Sequence, residues 1–301
     1  MPRHLRYRIG DTTVAVSSLD VPLEPERFDE YLPFLAATGS GSGDADLAID
    51  VRLGTPALPT GARPLMAAGE SWSAHERGGD LLIVAHVEPP AARPEWLAEV
   101  HAGRRRATLT SGETFLVGEG AARRLAAPFR YPLDQILLSM ALAGKALIVH
   151  AAGVQIGGGG LLLAGPSGAG KTTIARICAA AGHAVLSDDR VIVSRSPAGW
   201  RMHGTPWPGE GRFAENRGVP LAGVAFLARG EANRLTPLAP AALARGLAPL
   251  ATIPWFDREA RDRCLDLLDA LARAVPASEF AFRPEPGAAV TLAAEFAPLR
   301  R

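Results

Sequence analysis

Gly165-Pro166-Ser167-Gly168-Ala169-Gly170-Lys171-Thr172 fits G-x-x-x-x-G-K-[ST], the phosphate-binding P-loop pattern. Glycines at this density let the backbone turn back on itself, so that several N–H groups converge on one point. A helix opening near Gly170 would aim the positive end of its dipole at the same point. Lys171 would then reach the β- and γ-phosphates of ATP, and the Thr172 hydroxyl would ligate Mg²⁺, with Thr173 alongside. Lys171 is one of only two lysines, with Lys145, among 32 basic residues. It stands where a compact, flexible point charge serves better than a planar guanidinium.

Two further features supply what phosphate chemistry needs around such a loop. Asp188-Asp189 follows the apolar stretch Ala184-Val185-Leu186. A nucleotide enzyme requires a carboxylate across from the loop to hold Mg²⁺, directly or through water. Transfer to a hydroxyl also requires a base within hydrogen-bond reach. Adjacent carboxylates can divide these tasks, and the sequence leaves open which takes which. His150 ends the apolar run Ala146-Leu147-Ile148-Val149, where an imidazole beside a carboxylate would orient it or tune its pKa. Arg190, Arg212 and Arg217 are candidates for added positive charge, and Glu210 and Glu215 for a second metal contact.

The elements that must position these groups can be read from periodicity. Leu161–Ala164 is a strand leading into the loop, and Thr173–Ala180 is the helix leaving it, stopped at Gly182. Ala146–His150, Val154–Ile156, His183–Ser187, Val191–Val193 and Leu221–Leu227 read as strands of an α/β domain with a parallel sheet. Tyr131–Ala143, Ala241–Leu247 and Arg258–Ala274 read as helices; in the last, Cys264, Leu267, Leu268 and Leu271 form a packing stripe. Upstream the texture is β-rich, with strands in Tyr7–Val16 around a Gly10-Asp11 turn, Asp46–Leu53 and Leu81–Val87. Loops are expected at Gly39–Gly43, Thr55–Arg63 and Pro89–Pro94. His75, His86 and His101 occur singly and suggest no site. The expected division is a β-rich α+β domain over 1–125, of scaffolding or substrate-recognition type, and a P-loop kinase-like domain over 126–301.

Composition sets the remaining bounds. The chain has 301 residues, a formal charge of +1, 48% hydrophobic and 21% charged residues, as in soluble globular proteins. Near-neutral charge gives no electrostatic case for nucleic acid or an anionic membrane, and Arg104-Arg105-Arg106 and Arg123-Arg124 read as solvated faces. No stretch approaches the roughly 20 apolar residues of a membrane span. The N-terminus lacks an apolar secretory core. Cys178 and Cys264, far apart, read as reduced thiols, so the expected location is cytoplasmic.

Three segments together resemble the catalytic domain of the HPr kinase/phosphorylase family. They are Val149-His150-Ala151-Ala152-Gly153-Val154, the loop with its strand over 162–172, and Gly182-His183-Ala184-Val185-Leu186-Ser187-Asp188-Asp189-Arg190-Val191. The resemblance implies the fold shared with phosphoenolpyruvate carboxykinase and an ATP- and Mg²⁺-dependent kinase acting on a serine or threonine hydroxyl. It implies that Lys171 binds phosphates, that Thr172 holds Mg²⁺ with Asp188 or Asp189, and that one aspartate, with Asp189 favoured, is the proton acceptor beside His150. It also allows a homo-oligomer. The chain departs from the family at Ala151-Ala152, where the family has His followed directly by Gly, and at Thr172-Thr173, where it has Ser-Glu. The expected acceptor is therefore a protein or peptide, as in a divergent branch that phosphorylates precursor peptides. A free-amino-acid kinase, a carboxykinase and a non-catalytic ATP-binding regulator are the alternatives.

Overall fold

The computed structural model of the protein describes residues 3–24, 30–36, 45–85, 94–126 and 128–296. The loop expected at Gly39–Gly43, His86, Val87 and residues 89–93 lie outside them. The chain is mixed α/β, with several sheets and few helices. It divides into two units, one of Met1–Arg8, Thr12–Leu142 and Pro254–Arg258, the other of Ile9–Asp11, Ala143–Ile253 and Glu259–Arg301.

The first unit is built on an eight-stranded sheet. Its middle strands Thr12–Ser18, Leu47–Leu53 and Arg106–Ser111 pair in parallel. From Arg106–Ser111 onward the sheet continues antiparallel through Trp96–Val100, Asp80–Ala85, Trp72–Arg77 and Arg63–Ala68. The helix Leu133–Leu142, expected in the second domain from a boundary near residue 125, groups with this unit instead. Nine of its ten residues are buried, and the Tyr31 hydroxyl donates to the Asp134 carboxylate. A helix buried on nearly every side must be covered on nearly every side, and its polar Asp134 needs the Tyr31 partner; that need overrides the change of texture near residue 126.

The second unit carries the loop. Its sheet is mixed, not parallel. Ala146–Ile156 pairs antiparallel with both Gly159–Ala164 and Arg190–Ser196, whereas Gly159–Ala164 pairs in parallel with Gly218–Arg229. Gly218–Arg229 is in turn parallel to Ala277–Phe282. The connection at Gly157-Gly158 is too short for a crossover, so it can only close an antiparallel hairpin. The two strands expected on either side of Gly153 are one continuous strand, Ala146–Ile156. A Cβ on Gly153 would stand 2.8 Å from Val191 Cγ1, so mid-strand packing requires the missing side chain there.

Period-two alternation sends the strand side chains to two cores. Leu147, Val149, Ala151, Leu162 and Ala164 pack with the helices Pro240–Leu247 and Arg258–Ala274. The long helix buries Ala260, Cys264, Leu267, Leu268, Leu271 and Ala272, a single stripe at helical spacing. Ala152, Val154, Leu161 and Leu163 pack on the other face with the helices Lys171–Ala180 and Gly287–Phe296. Ile174, Ala175 and Cys178 anchor the helix that leaves the loop; full burial of Ile174 alone contributes roughly 2 kcal/mol. Among the described residues no helix is long and apolar enough to cross a membrane.

Candidate active site

The loop over 165–170 joins the strand Gly159–Ala164 to the helix Lys171–Ala180. Gly168 and Gly170 lie at φ 78° and 97°, a backbone region that side chains disfavour, and Gly170 is the residue from which the helix starts. The helix ends at Gly182, φ 84°, where the His183 N–H bonds back to the Cys178 carbonyl at 3.0 Å. Lys171 is buried. Its Nζ donates to the carbonyls of Gly165 and Pro166 at 2.9 and 3.0 Å, so the ammonium lies folded against its own loop. Burial lowers the Lys171 pKa; Asp189 opposes that shift and Arg190 adds to it.

The two aspartates occupy different environments. Asp188 is 1% exposed and accepts four hydrogen bonds. The N–H groups of Gly209 and Phe213 reach Oδ1 at 2.8 and 3.3 Å, and the N–H of Gly211 reaches Oδ2 at 2.7 Å. Thr172 Oγ1 lies 3.1 Å from Oδ2. A carboxylate only accepts, so the Thr172 hydroxyl donates, and the lone pairs of its oxygen stay available to a cation. Four donors match the lone-pair capacity of the carboxylate, and Asp188 is therefore committed to holding Thr172 and the 209–213 loop.

Asp189 is about one-third exposed and faces the opening. Its Oδ1 lies 2.9 Å from His150 Nε2 and its Oδ2 lies 3.2 Å from Arg190 Nη1. Burial pushes its pKa up, but the His150 hydrogen bond, the charges of Arg190 and His150 and, more weakly, that of Lys171 outweigh this and hold it below the ordinary aspartate value. Its position is fixed through the backbone. His150 pairs with Arg190 across the sheet, and the Ala151 N–H donates to the Asp189 carbonyl at 3.0 Å. The buried Ser187 hydroxyl lies 3.3 Å from the N–H of Asp189 and from that of Arg190 and accepts from both.

His150, Ser167, Gly168, Gly170, Lys171, Thr172, Thr173, Asp188 and Asp189 all line one cavity of about 440 Å³, closed on a further side by Gly209 and Glu210. Gly165, Pro166 and Ala169 of the loop stand behind this lining; Gly165 and Pro166 hold Lys171, and the Ala169 N–H closes the turn onto Pro166 at 3.1 Å. Of the other candidates, Glu210 faces the cavity, whereas Glu215 and Arg217 pair with each other at 3.2 Å and do not line it. Arg212 is exposed at φ 56°. No group of three or more His, Cys, Asp or Glu side chains among the described residues is arranged to hold a metal ion. The oxygen donors Thr172 and Asp189 on the cavity wall nevertheless suit Mg²⁺, which takes few protein ligands and completes its shell with phosphate and water.

Sequence reasoning singled out Glu210 and Arg212 but missed that backbone N–H groups of the 209–213 loop clasp Asp188. The signal was present in Gly209-Glu210-Gly211, two glycines around one acid. Cβ atoms at Gly209 and Gly211 would stand 2.9 and 2.7 Å from Asp188 Oδ2. Gly211→Ala is accordingly expected to destabilise the protein by about 1–3 kcal/mol, as overpacking does. Urea unfolding of the full chain checks this, and an unchanged midpoint would show that the loop does not clasp the carboxylate.

Known proteins resemble the chain as follows. The sequence model of a family described as "SynChlorMet cassette protein ScmC" matches residues 132–263, which include the loop, both aspartates and His150. No curated protein matches the chain significantly. Among solved structures, the Hpr(Ser) kinase/phosphatase from Coxiella burnetii is similar over 51% of this chain and 97% of that one, at 14% identity and a TM-score of 0.31.

Proposed function

We propose that the protein is an ATP- and Mg²⁺-dependent kinase of the HPr kinase/phosphorylase kind, which moves the γ-phosphoryl group to a serine or threonine hydroxyl of a protein or peptide. On this reading the second unit is a P-loop kinase domain of the type shared with phosphoenolpyruvate carboxykinase. The observation that carries it is the Asp189–His150 pair, 2.9 Å apart, in the same cavity as Lys171 and Thr172.

The roles follow from the environments. Lys171 leaves the two carbonyls it now holds and turns to the β- and γ-phosphates, a stronger partner for an ammonium than a neutral carbonyl. The loop N–H groups and the helix start add fixed positive potential. Mg²⁺, when bound, neutralises charge on the phosphate oxygens. Thr172 and Asp189 would hold it, while Asp188 orients the Thr172 hydroxyl and does not touch the ion. Asp189 accepts the proton of the incoming alcohol. As the alcohol oxygen forms its bond to the γ-phosphorus, the bond from that phosphorus to the β,γ-bridging oxygen breaks, and ADP leaves with the electron pair. His150, donating from Nε2 to Asp189, steadies the carboxylate. On the same reading the enzyme works in the cytoplasm, which suits the two free cysteines, Cys178 and Cys264.

The test uses the full chain with γ-labelled ATP, Mg²⁺ and an array of serine- and threonine-containing peptides. Label in acid-stable phosphoserine or phosphothreonine, lost when Mg²⁺ is chelated, is the expected result. ATP binding without label in any peptide or free amino acid would point instead to a nucleotide-binding regulator.

A further inference from the structure

Three carboxylate residues line the cavity, and they differ in what they hold. Asp188 is saturated by four donors. Asp189 is engaged by His150 and Arg190. Glu210 is exposed, and its carboxylate accepts no hydrogen bond and makes no ion pair among the described residues. Nor does it join the two aspartates in a group that could hold a metal ion.

The backbone that carries Glu210 is nevertheless held firmly. Asp188 clasps the N–H groups on both sides of it, at Gly209 and Gly211. Arg176 stands one turn after Thr172 on the same helix, and its Nη2 donates to the Glu210 carbonyl at 3.0 Å. Further on, the Glu215 N–H donates to the Leu186 carbonyl at 2.9 Å, which ties the segment back to the strand before the aspartates. Of residues 209–213, Gly209 and Glu210 line the cavity. A glycine has no side chain to offer, so what the segment contributes there is one glutamate on a fixed frame. A charged side chain on a loop set by rigid elements is suited to recognition.

We infer that Glu210 selects the acceptor: its carboxylate takes the ammonium or guanidinium of a lysine or arginine that flanks the serine or threonine of a peptide substrate. This rests on the phosphoryl-transfer reading above and adds which peptides the site takes. A carboxylate repels a polyphosphate, so Glu210 does not serve the donor. The acceptor must enter the same cavity, because its hydroxyl has to reach Asp189. An ionised carboxylate only accepts hydrogen bonds, and its strongest partners on a peptide are the charged donors of lysine and arginine. A cation there also offsets the acidic character that Asp189 and Glu210 give the entrance, whereas an acidic neighbour of the hydroxyl would be turned away.

The test combines the full chain, γ-labelled ATP and Mg²⁺ with serine peptides that differ at a single flanking position. That position carries lysine, glutamine or glutamate, and each flanking position is taken in turn. Wild type is expected to show a kcat/KM about tenfold higher for lysine than for glutamine at one position or more, as a charge-assisted hydrogen bond contributes. Glu210→Gln should bring the two peptides within about threefold of each other, with the loss falling on the lysine peptide. Glu210→Lys should reverse the order, so that the glutamate peptide is turned over fastest. Such a reversal is a gain that unfolding cannot imitate. Equal turnover of the three peptides by wild type at every position, or an unchanged lysine preference in Glu210→Gln, would overturn the acceptor role. So would equal slowing of all three peptides in Glu210→Gln with a raised Mg²⁺ requirement, which is the mark of a metal ligand. Free serine phosphorylated faster than every peptide would overturn it as well. In each of these cases label still reaches a hydroxyl and the phosphoryl-transfer reading stands. Absence of label from every acceptor would instead remove that reading, and the role of Glu210 with it.

Discussion

Replacing Lys171 with alanine is expected to lower ATP-dependent transfer at least a hundredfold and to leave the fold intact. The size follows from what the ammonium does. It is the single lysine lining the cavity and is buried beside the glycine-rich loop; on the proposed reading, loss of one preorganised donor to a developing charge costs about 10²–10³ in rate. Stability should change little, for a physical reason. Burial already disfavours the charged lysine, so removing it also removes a desolvation cost, and the carbonyl of the exposed Pro166 can turn to water. Lys171→Arg should not restore activity, because a planar fork cannot replace a compact amine in a loop closed onto its own carbonyls. Steady-state kinetics with a thermal melt on the same preparations checks both halves. Full turnover in Lys171→Ala would refute the role.

The second large effect is expected at Asp189. Asp189→Asn keeps the shape of the side chain but cannot take the proton, and loss of a general base costs about 10²–10⁴ in rate. Binding of ATP should persist, since the loop and Lys171 are untouched; turnover within tenfold of wild type would show that the base lies elsewhere. The pH dependence has a definite sign. The pKa of Asp189 is held below the ordinary value by His150 and the neighbouring cations, so the carboxylate is ionised across the neutral range. Any fall in rate between pH 8 and pH 5 would then belong to a different group, and the limb due to Asp189 would lie below the usual aspartate pKa. The same shift contributes stability that is present above the unfolded-state pKa and is lost as pH falls through the folded-state value. Asp189→Asn should flatten acid unfolding in that window, as intrinsic fluorescence against pH would report.

The elements around the loop were legible in the sequence because their signals are local. A strand, a glycine turn and a helix follow one another within about twenty residues, and each is specified by neighbours along the chain. The helix stop at Gly182 and the stripe on Arg258–Ala274 were readable for the same reason. The continuous strand through Gly153 was not, since a glycine in sequence reads as a break, and only the contact with Val191 shows why it stands in mid-strand. Nor was the grouping of Leu133–Leu142 with the first unit, which depends on partners such as Tyr31 about a hundred residues away.

By itself, then, the sequence determined which residue types come together around the cavity: the glycine-rich loop, one lysine, a hydroxyl, a carboxylate doublet and an imidazole. Tertiary structure decided how the doublet divides. Asp188 and Asp189 are chemically identical neighbours, and successive residues leaving a strand end point in different directions. One direction meets three N–H groups from a segment more than twenty residues further on, and the other meets His150 and the open cavity. The difference between a saturated carboxylate and an available one lies in those distant donors, and no local pattern encodes them.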